Sequence, residues 1–150
     1  MFGPHLVLEG YNCQNSSNLG SKDAVKRFLS EFPAKINMTT IMSPQVMHYD
    51  GGDIPEDNGI SGFVIIAESH IAIHTFAEKN FFTLDIFSCK PFDIELAIKH
   101  VLGFFAPANY DHQIFDRGRE FPRSFGKASE IIKTERSQLQ LNNQPKMLKV

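Results

Sequence analysis

The order of elements in this sequence predicts an α+β fold, a two-layer α/β sandwich whose mainly antiparallel sheet is covered on one face by helices and which dimerises. Three observations carry that reading. Short β-rich stretches occur near residues 5–11, 63–76, 81–89 and 109–115. Two longer stretches between them repeat apolar residues at three- and four-residue steps. The 150 residues, 42% hydrophobic with fourteen phenylalanines, suffice for one core, and the chain has neither an internal repeat nor a second domain.

The elements follow in order. His5-Leu6-Val7-Leu8-Glu9-Gly10-Tyr11 sets Leu6 and Leu8 on one face of a first strand and His5, Val7 and Glu9 on the other. Asn15-Ser16-Ser17-Asn18 is turn-forming, and Ser21 caps a helix whose apolar side is Ala24, Val25, Phe28, Leu29 and Phe32. Pro33 is expected to end it. Residues 35–49 read as a less regular strand, and residues 49–59 as an acidic, glycine-rich loop that cannot be core. Phe63-Val64-Ile65-Ile66 opens a run that continues through His74 and resumes, after a Glu-Lys-Asn turn, at residues 81–89, so the two segments read as the arms of a hairpin. Pro91-Phe92-Asp93 announces a helix striped with Ile94, Ala97, Ile98, Val101, Leu102 and Phe105. Residues 109–115 form a last strand. The folded domain is placed at 1–123 and a polar tail at 124–150, with a surface helix compatible with 130–141. One face of the sheet is left for a partner or a site.

Charge narrows the function. Fifteen basic against seventeen acidic side chains leave a net charge of -2 and no basic block, which argues against nucleic acid. The apolar runs fall well short of the roughly 20 residues of a membrane span, and the first residues carry no signal core, so a cytoplasmic protein without a membrane partner is expected. Two cysteines make no disulfide framework; Cys13 and Cys89 are expected as free thiols, Cys13 in a structural role.

Residues 67–78, Ala-Glu-Ser-His-Ile-Ala-Ile-His-Thr-Phe-Ala-Glu, place a serine, two histidines and two carboxylates in an otherwise apolar strand-like run. Each has a bland explanation: a surface hydroxyl, a half-buried histidine at His70 or His74, a small buried thiol at Cys89. Together they resemble a site, since hairpin pairing brings Ser69, His74 and Cys89 toward one neighbourhood. A metal site on His70, His74 and Glu78 is disfavoured, because four-residue steps along a strand spread ligands over about 13 Å. Parity adds a constraint. Five residues separate Ser69 from His74, so an unbroken strand points them to opposite faces, and a bend, bulge or strand end is expected near Glu68-Ser69.

Gly59-Ile60-Ser61-Gly62, Ala67-Glu68-Ser69-His70, His74-Thr75-Phe76-Ala77-Glu78 and Asp85-Ile86-Phe87-Ser88-Cys89, with His5-Leu6-Val7-Leu8-Glu9 before them and Asp116-Arg117-Gly118 after, resemble the prokaryotic S-adenosylmethionine decarboxylase proenzymes in order and spacing over roughly the first 120 residues. The resemblance implies a pyruvoyl-dependent carboxy-lyase that makes its own cofactor and uses neither PLP nor a metal. Decarboxylation leaves a carbanion that no ordinary side chain can delocalise, whereas a pyruvoyl carbonyl does so as a Schiff base with the substrate amine. The resemblance makes Glu68 the cleavage-site carbonyl and Ser69 its attacker, the ester so formed eliminating to give chains 1–68 and 69–150 with a pyruvoyl group at position 69. A serine suits this because its hydroxyl both attacks and leaves.

By the same resemblance His74 moves the proton in that elimination, Ser61 supports processing, and Cys89 returns a proton to the substrate carbon after carbon dioxide departs. Glu9, Phe76 and Glu78 match substrate-contacting positions, with Glu78 toward the ribose. Two departures stand out: Phe76-Ala77 replaces the usual aromatic-proline pair, and the loop before Ser61 is acidic, with Tyr49 upstream. Relatives sharing every processing residue act on arginine or ornithine, so these stay open beside S-adenosylmethionine as the amino-acid-type substrate. An unprocessed, non-catalytic binding module is the reading from a different class. The expected partners are the chain's own cleaved fragment and a second processed pair, in a homodimer with sites near the interface.

Overall fold

Six strands and three helices form from these patterns in a computed structural model that describes residues 3–67 and 69–118. Glu68, the tail at 124–150 and its helix at 130–141 lie outside the described residues. In chain order the elements are β1 (Gly3–Cys13), α1 (Ser16–Leu19), α2 (Lys22–Lys35), β2 (Gln45–Tyr49), β3 (Gly59–Ile66), β4 (Ser69–Phe76), β5 (Phe81–Ser88), α3 (Ile94–Phe105) and β6 (Pro107–Arg117). All six strands join one antiparallel sheet in the order β2-β3-β4-β5-β1-β6.

Alternation decides which face is covered. Leu6 and Leu8 of β1, Ile71 and Ile73 of β4, and Phe82, Leu84 and Ile86 of β5 are all buried, in one cluster with Val25, Phe28, Leu29 and Phe32 of α2 and Ala97, Ile98, Val101 and Phe105 of α3. Aromatic rings tie these layers together. Phe28 stacks on Phe32 at 4.8 Å and meets Phe105 edge-on at 5.1 Å, while Phe105 packs on Phe82 of β5 at 4.8 Å. The helices are capped as their sequences suggest: Ser21 Oγ accepts from the Ala24 amide and Asp93 Oδ1 from the Leu96 amide. The opposite face carries His5, Val7 and Glu9, Ser61 and Phe63, His70 and His74, and Thr83, Asp85 and Phe87, most of them half-buried and, among the described residues, with no helix over them.

The structure corrects four sequence expectations. Residues 63–76 are not one hairpin arm: the chain turns back between Ile66 and Ser69, which pair with each other, and β3 and β4 are antiparallel neighbours. The hairpin with the polar turn is β4-β5. The helix does not stop at Pro33 but runs to Lys35, where Pro33, itself buried, closes it by accepting at its carbonyl from the Ile36 and Met38 amides. Proline removes one backbone donor and crowds the carbonyl four residues before it, a cost that here falls in the last turn and does not stop the helix at once. Residues 35–49 form a regular strand only at Gln45–Tyr49, apart from one bridge between Thr40 and Ile66. The turn-forming stretch at residues 15–18 contains the start of the short helix α1.

The motif glycines have a packing explanation. A Cβ on Gly59 would lie 2.5 Å from the Thr75 carbonyl oxygen, and one on Gly62 would lie 2.8 Å from Leu29 Cδ1 where α2 crosses β3. Ser61 is thereby held between two close approaches. Thr75, fully buried, donates from Oγ1 to the Leu19 carbonyl at 2.7 Å and fastens α1 beneath β4.

Candidate active site

Register distributes the sequence-predicted residues between two ends of the uncovered face. At one end Ser61 lies directly opposite His74, and its hydroxyl is 2.8 Å from His74 Nδ1. The same cross-strand row continues through Thr83 of β5 to Glu9 of β1 and Asp111 of β6. Phe76 follows two residues on and stacks on Phe81 at 5.9 Å. Glu78, in the β4-β5 turn, lines a small cleft of about 140 Å³ with His48, Asn58, Gly59 and Ala77, and His48 Nε2 is 2.8 Å from Asn58 Oδ1.

Glu9 borders a second cleft of about 160 Å³ with Asp111 and His112 and accepts from the Tyr11 hydroxyl at 2.5 Å. That hydrogen bond favours the neutral phenol and raises the Tyr11 pKa above its ordinary value. The acidic loop at 49–59 is tied to itself and to the β4-β5 turn. Asp50 Oδ1 accepts from the Gly52 amide at 3.0 Å, and Asp57 pairs with Lys79 at 3.7 Å.

Ser69 occupies the other end, as the first residue of β4 immediately after the tight turn. The strand end expected near Glu68-Ser69 is therefore present. Its φ of 156° departs from the usual antiparallel value near −140°. Regular alternation assigns position 69 to the helix-covered face, yet Ser69 Oγ lies 3.3 Å from His70 Nδ1, and His70 belongs to the open face. Ser69 pairs with Ser88, the last residue of β5, so half-buried Cys89 emerges one residue beyond its cross-strand partner. Both cysteines are free thiols, and burial pushes the Cys13 thiol up from its ordinary value, in keeping with a packing role.

The three residues expected in one neighbourhood are thus only partly gathered. Ser69 and Cys89 come together, while His74 stands five ladder positions from Ser69, about 16 Å along the strand. Sequence reasoning also gave no role to His70, which contacts Ser69, or to the residues that gather behind it. His70 Nε2 is 3.1 Å from Asp85 Oδ2, and His5 Nε2 is 3.4 Å from the same oxygen. Parity alone placed His5 and Asp85 on the uncovered face; their register with His70 was the missing information.

Comparison with known proteins gives the family to which this antiparallel sheet, with Ser69 at the start of β4 and Cys89 just past β5, belongs. The family model described as S-adenosylmethionine decarboxylase matches residues 4–118. An S-adenosylmethionine decarboxylase proenzyme of Archaeoglobus fulgidus is 32% identical over 117 residues, covering 77% of this chain and 97% of the relative. The proenzyme of Thermodesulfovibrio yellowstonii is 36% identical over 107 residues, 69% of this chain and 71% of the relative. In fold, the crystal structure of the adenosylmethionine decarboxylase from Aquifex aeolicus is similar, with a TM-score of 0.67 and 23% identity over 82% of this chain and 96% of that one. The chain belongs to the S-adenosylmethionine decarboxylase family.

Proposed function

We propose that this protein is a self-cleaving, pyruvoyl-dependent carboxy-lyase that converts S-adenosylmethionine to its decarboxylated form for polyamine synthesis. One observation carries the reading beyond family membership. Ser69 begins β4 directly after a turn, with an imidazole at its hydroxyl and a thiol one residue beyond its cross-strand partner. A cut between 68 and 69 falls in that turn and leaves every strand intact. It divides the sheet unusually: chain 1–68 contributes β1, β2 and β3, and chain 69–150 contributes β4, β5 and β6, interleaved in the order β2-β3-β4-β5-β1-β6. The β3-β4, β5-β1 and β1-β6 ladders would all have to break before the fragments parted. Cleavage therefore need not cost the fold.

The residues present fit a pyruvoyl group at position 69, since ladder pairing holds the new chain start beside Ile66 and Ser88 on the β4 edge of the turn. That group would supply the electron sink for carbon dioxide loss. Cys89 delivers a proton to the substrate carbon from beside position 69. Glu78 and Phe76, with Glu9 across the sheet, hold the nucleoside end of the substrate. His74, fixed by Ser61, takes the proton in the elimination that follows attack by Ser69.

The about 16 Å between Ser69 and His74 along one strand is too far for direct proton transfer. We accordingly place His74 and Ser61 of one protomer against Ser69 and Cys89 of a second, in a homodimer of processed pairs joined near the uncovered faces. The uncovered sheet face and the separation of the two half-sites support that arrangement. Among the described residues no helix is long and apolar enough to cross a membrane, and a cytoplasmic enzyme with no nucleic-acid partner is proposed. Activity assays with S-adenosylmethionine, arginine and ornithine on the cleaved protein test the substrate. Turnover of S-adenosylmethionine alone is expected, and preference for either amino acid overturns that assignment.

A further inference from the structure

The imidazole that touches Ser69 within its own chain belongs to His70, not His74. Ser69 Oγ is 3.3 Å from His70 Nδ1, and the other ring nitrogen, Nε2, is 3.1 Å from Asp85 Oδ2. A carboxylate only accepts, so Nε2 carries the proton toward Asp85 and Nδ1 keeps a lone pair for the serine hydroxyl. His5 Nε2, a buried atom, approaches the same Asp85 oxygen at 3.4 Å without completing a hydrogen bond. Three adjacent strands build the group. Register sets His70 and His5 on either side of Phe87, with ring centroids 6.1 and 5.7 Å away, and Asp85 reaches both imidazoles from the next row. The Arg117 guanidinium covers the Phe87 ring at 4.1 Å. Among the described residues no group of three or more such side chains is arranged to hold a metal ion.

We propose that His70 is the general base for the first step of self-cleavage, with Asp85 as its positioning residue and His5 steadying the carboxylate. The inference rests on the self-cleavage reading above and names a base for it. The Ser69 hydroxyl proton passes to His70 Nδ1 as Oγ bonds to the Glu68 carbonyl carbon. When the carbon–nitrogen bond breaks, the same imidazolium returns that proton to the Ser69 nitrogen. The amide becomes an ester with no atom gained or lost and no co-reactant. His70 thus serves ester formation and His74 the elimination that consumes the ester.

Freshly translated full-length chains, followed by intact mass with and without hydroxylamine or imidazole, test the assignment. His70→Ala and His70→Gln should cleave about 10²-fold more slowly. Both should accumulate the intact amide and yield no fragments with hydroxylamine, and free imidazole should restore part of the rate to His70→Ala. His74→Ala should instead stop as an ester that hydroxylamine splits at position 69. Asp85→Asn should slow cleavage at least about tenfold through the wrong tautomer, and should add little in the His70→Gln background because it acts through that ring. Wild-type rates in the His70 variants, a stall at a hydroxylamine-sensitive ester, or a loss that imidazole leaves untouched would each overturn the proposal. A wild-type chain that stays whole removes the self-cleavage reading and this inference together; a wild-type chain that cleaves beside an equally fast His70→Gln removes the inference alone.

Discussion

The two ends of the uncovered sheet face differ in what they hold. At the Ser69 end a nucleophile, an imidazole backed by Asp85 and a thiol are all supplied by one hairpin, β4-β5, with His5 added from β1. At the His74 end the pairing is between β3 and β4, and the groups are a histidine, the serine that holds it and the carboxylates Glu9 and Glu78. The first end holds the bond that the proposed cleavage breaks; the second holds the clefts lined by Glu9 and by Glu78. In the arrangement proposed above each end is half of a site, and the distance along β4 between Ser69 and His74 is met by a second copy of the chain.

Ser69→Ala carries the largest expected effect, since it removes the attacking hydroxyl and the source of the cofactor. Cleavage and decarboxylation should both vanish, as read by denaturing gel and carbon dioxide release. Co-expression of differently tagged Ser69→Ala and His74→Ala chains probes the division between the ends. In a mixed dimer the His74→Ala chain should be cut, because its Ser69 meets an intact partner's His74, while either variant alone stays uncut or stalled. Failure of the mixed dimer to cleave would return both ends to a single chain.

Cys89→Ala should leave cleavage at least partly intact and lower turnover about 10²-fold, as expected for loss of a proton donor. The opposite pattern would reassign Cys89 to processing. Glu78→Gln should raise KM about tenfold with little change in cleavage, the scale of one charge-assisted hydrogen bond. The smallest effect on chemistry is expected from Thr75→Val, under the His74 end on the covered face. It removes the bond to the Leu19 carbonyl and should cost about 1–3 kcal/mol in denaturant unfolding while cleavage proceeds.

The fold was largely legible because most of it is written in local periodicity. Leu6 and Leu8, the stripe of α2, and Ala97, Ile98, Val101 and Phe105 of α3 are buried where alternation and helical steps place them, with Ile94 and Leu102 partly buried against them. What escaped was information that periodicity does not carry. The sequence between Ile66 and Ser69 has no glycine, proline or asparagine to mark the reversal, so two strands read as one. Register across strands is a long-range property; it places Ser61 against His74 and gathers His70, Asp85 and His5 beside Ser69, and nothing in the spacing of a single strand encodes it. Resemblance to a family supplied Ser61 and His74 without their distance from Ser69. It supplied no role for His70, which only the geometry brings to the serine.

Intact-mass spectrometry of the purified wild-type protein under denaturing conditions tests directly whether the chain cuts itself before Ser69 and keeps both pieces. Two fragments that separate only on denaturation are expected, residues 1–68 and residues 69–150, the second beginning with a pyruvoyl group that hydroxylamine traps. A single species of 17.0 kDa in protein that decarboxylates its substrate would contradict self-cleavage.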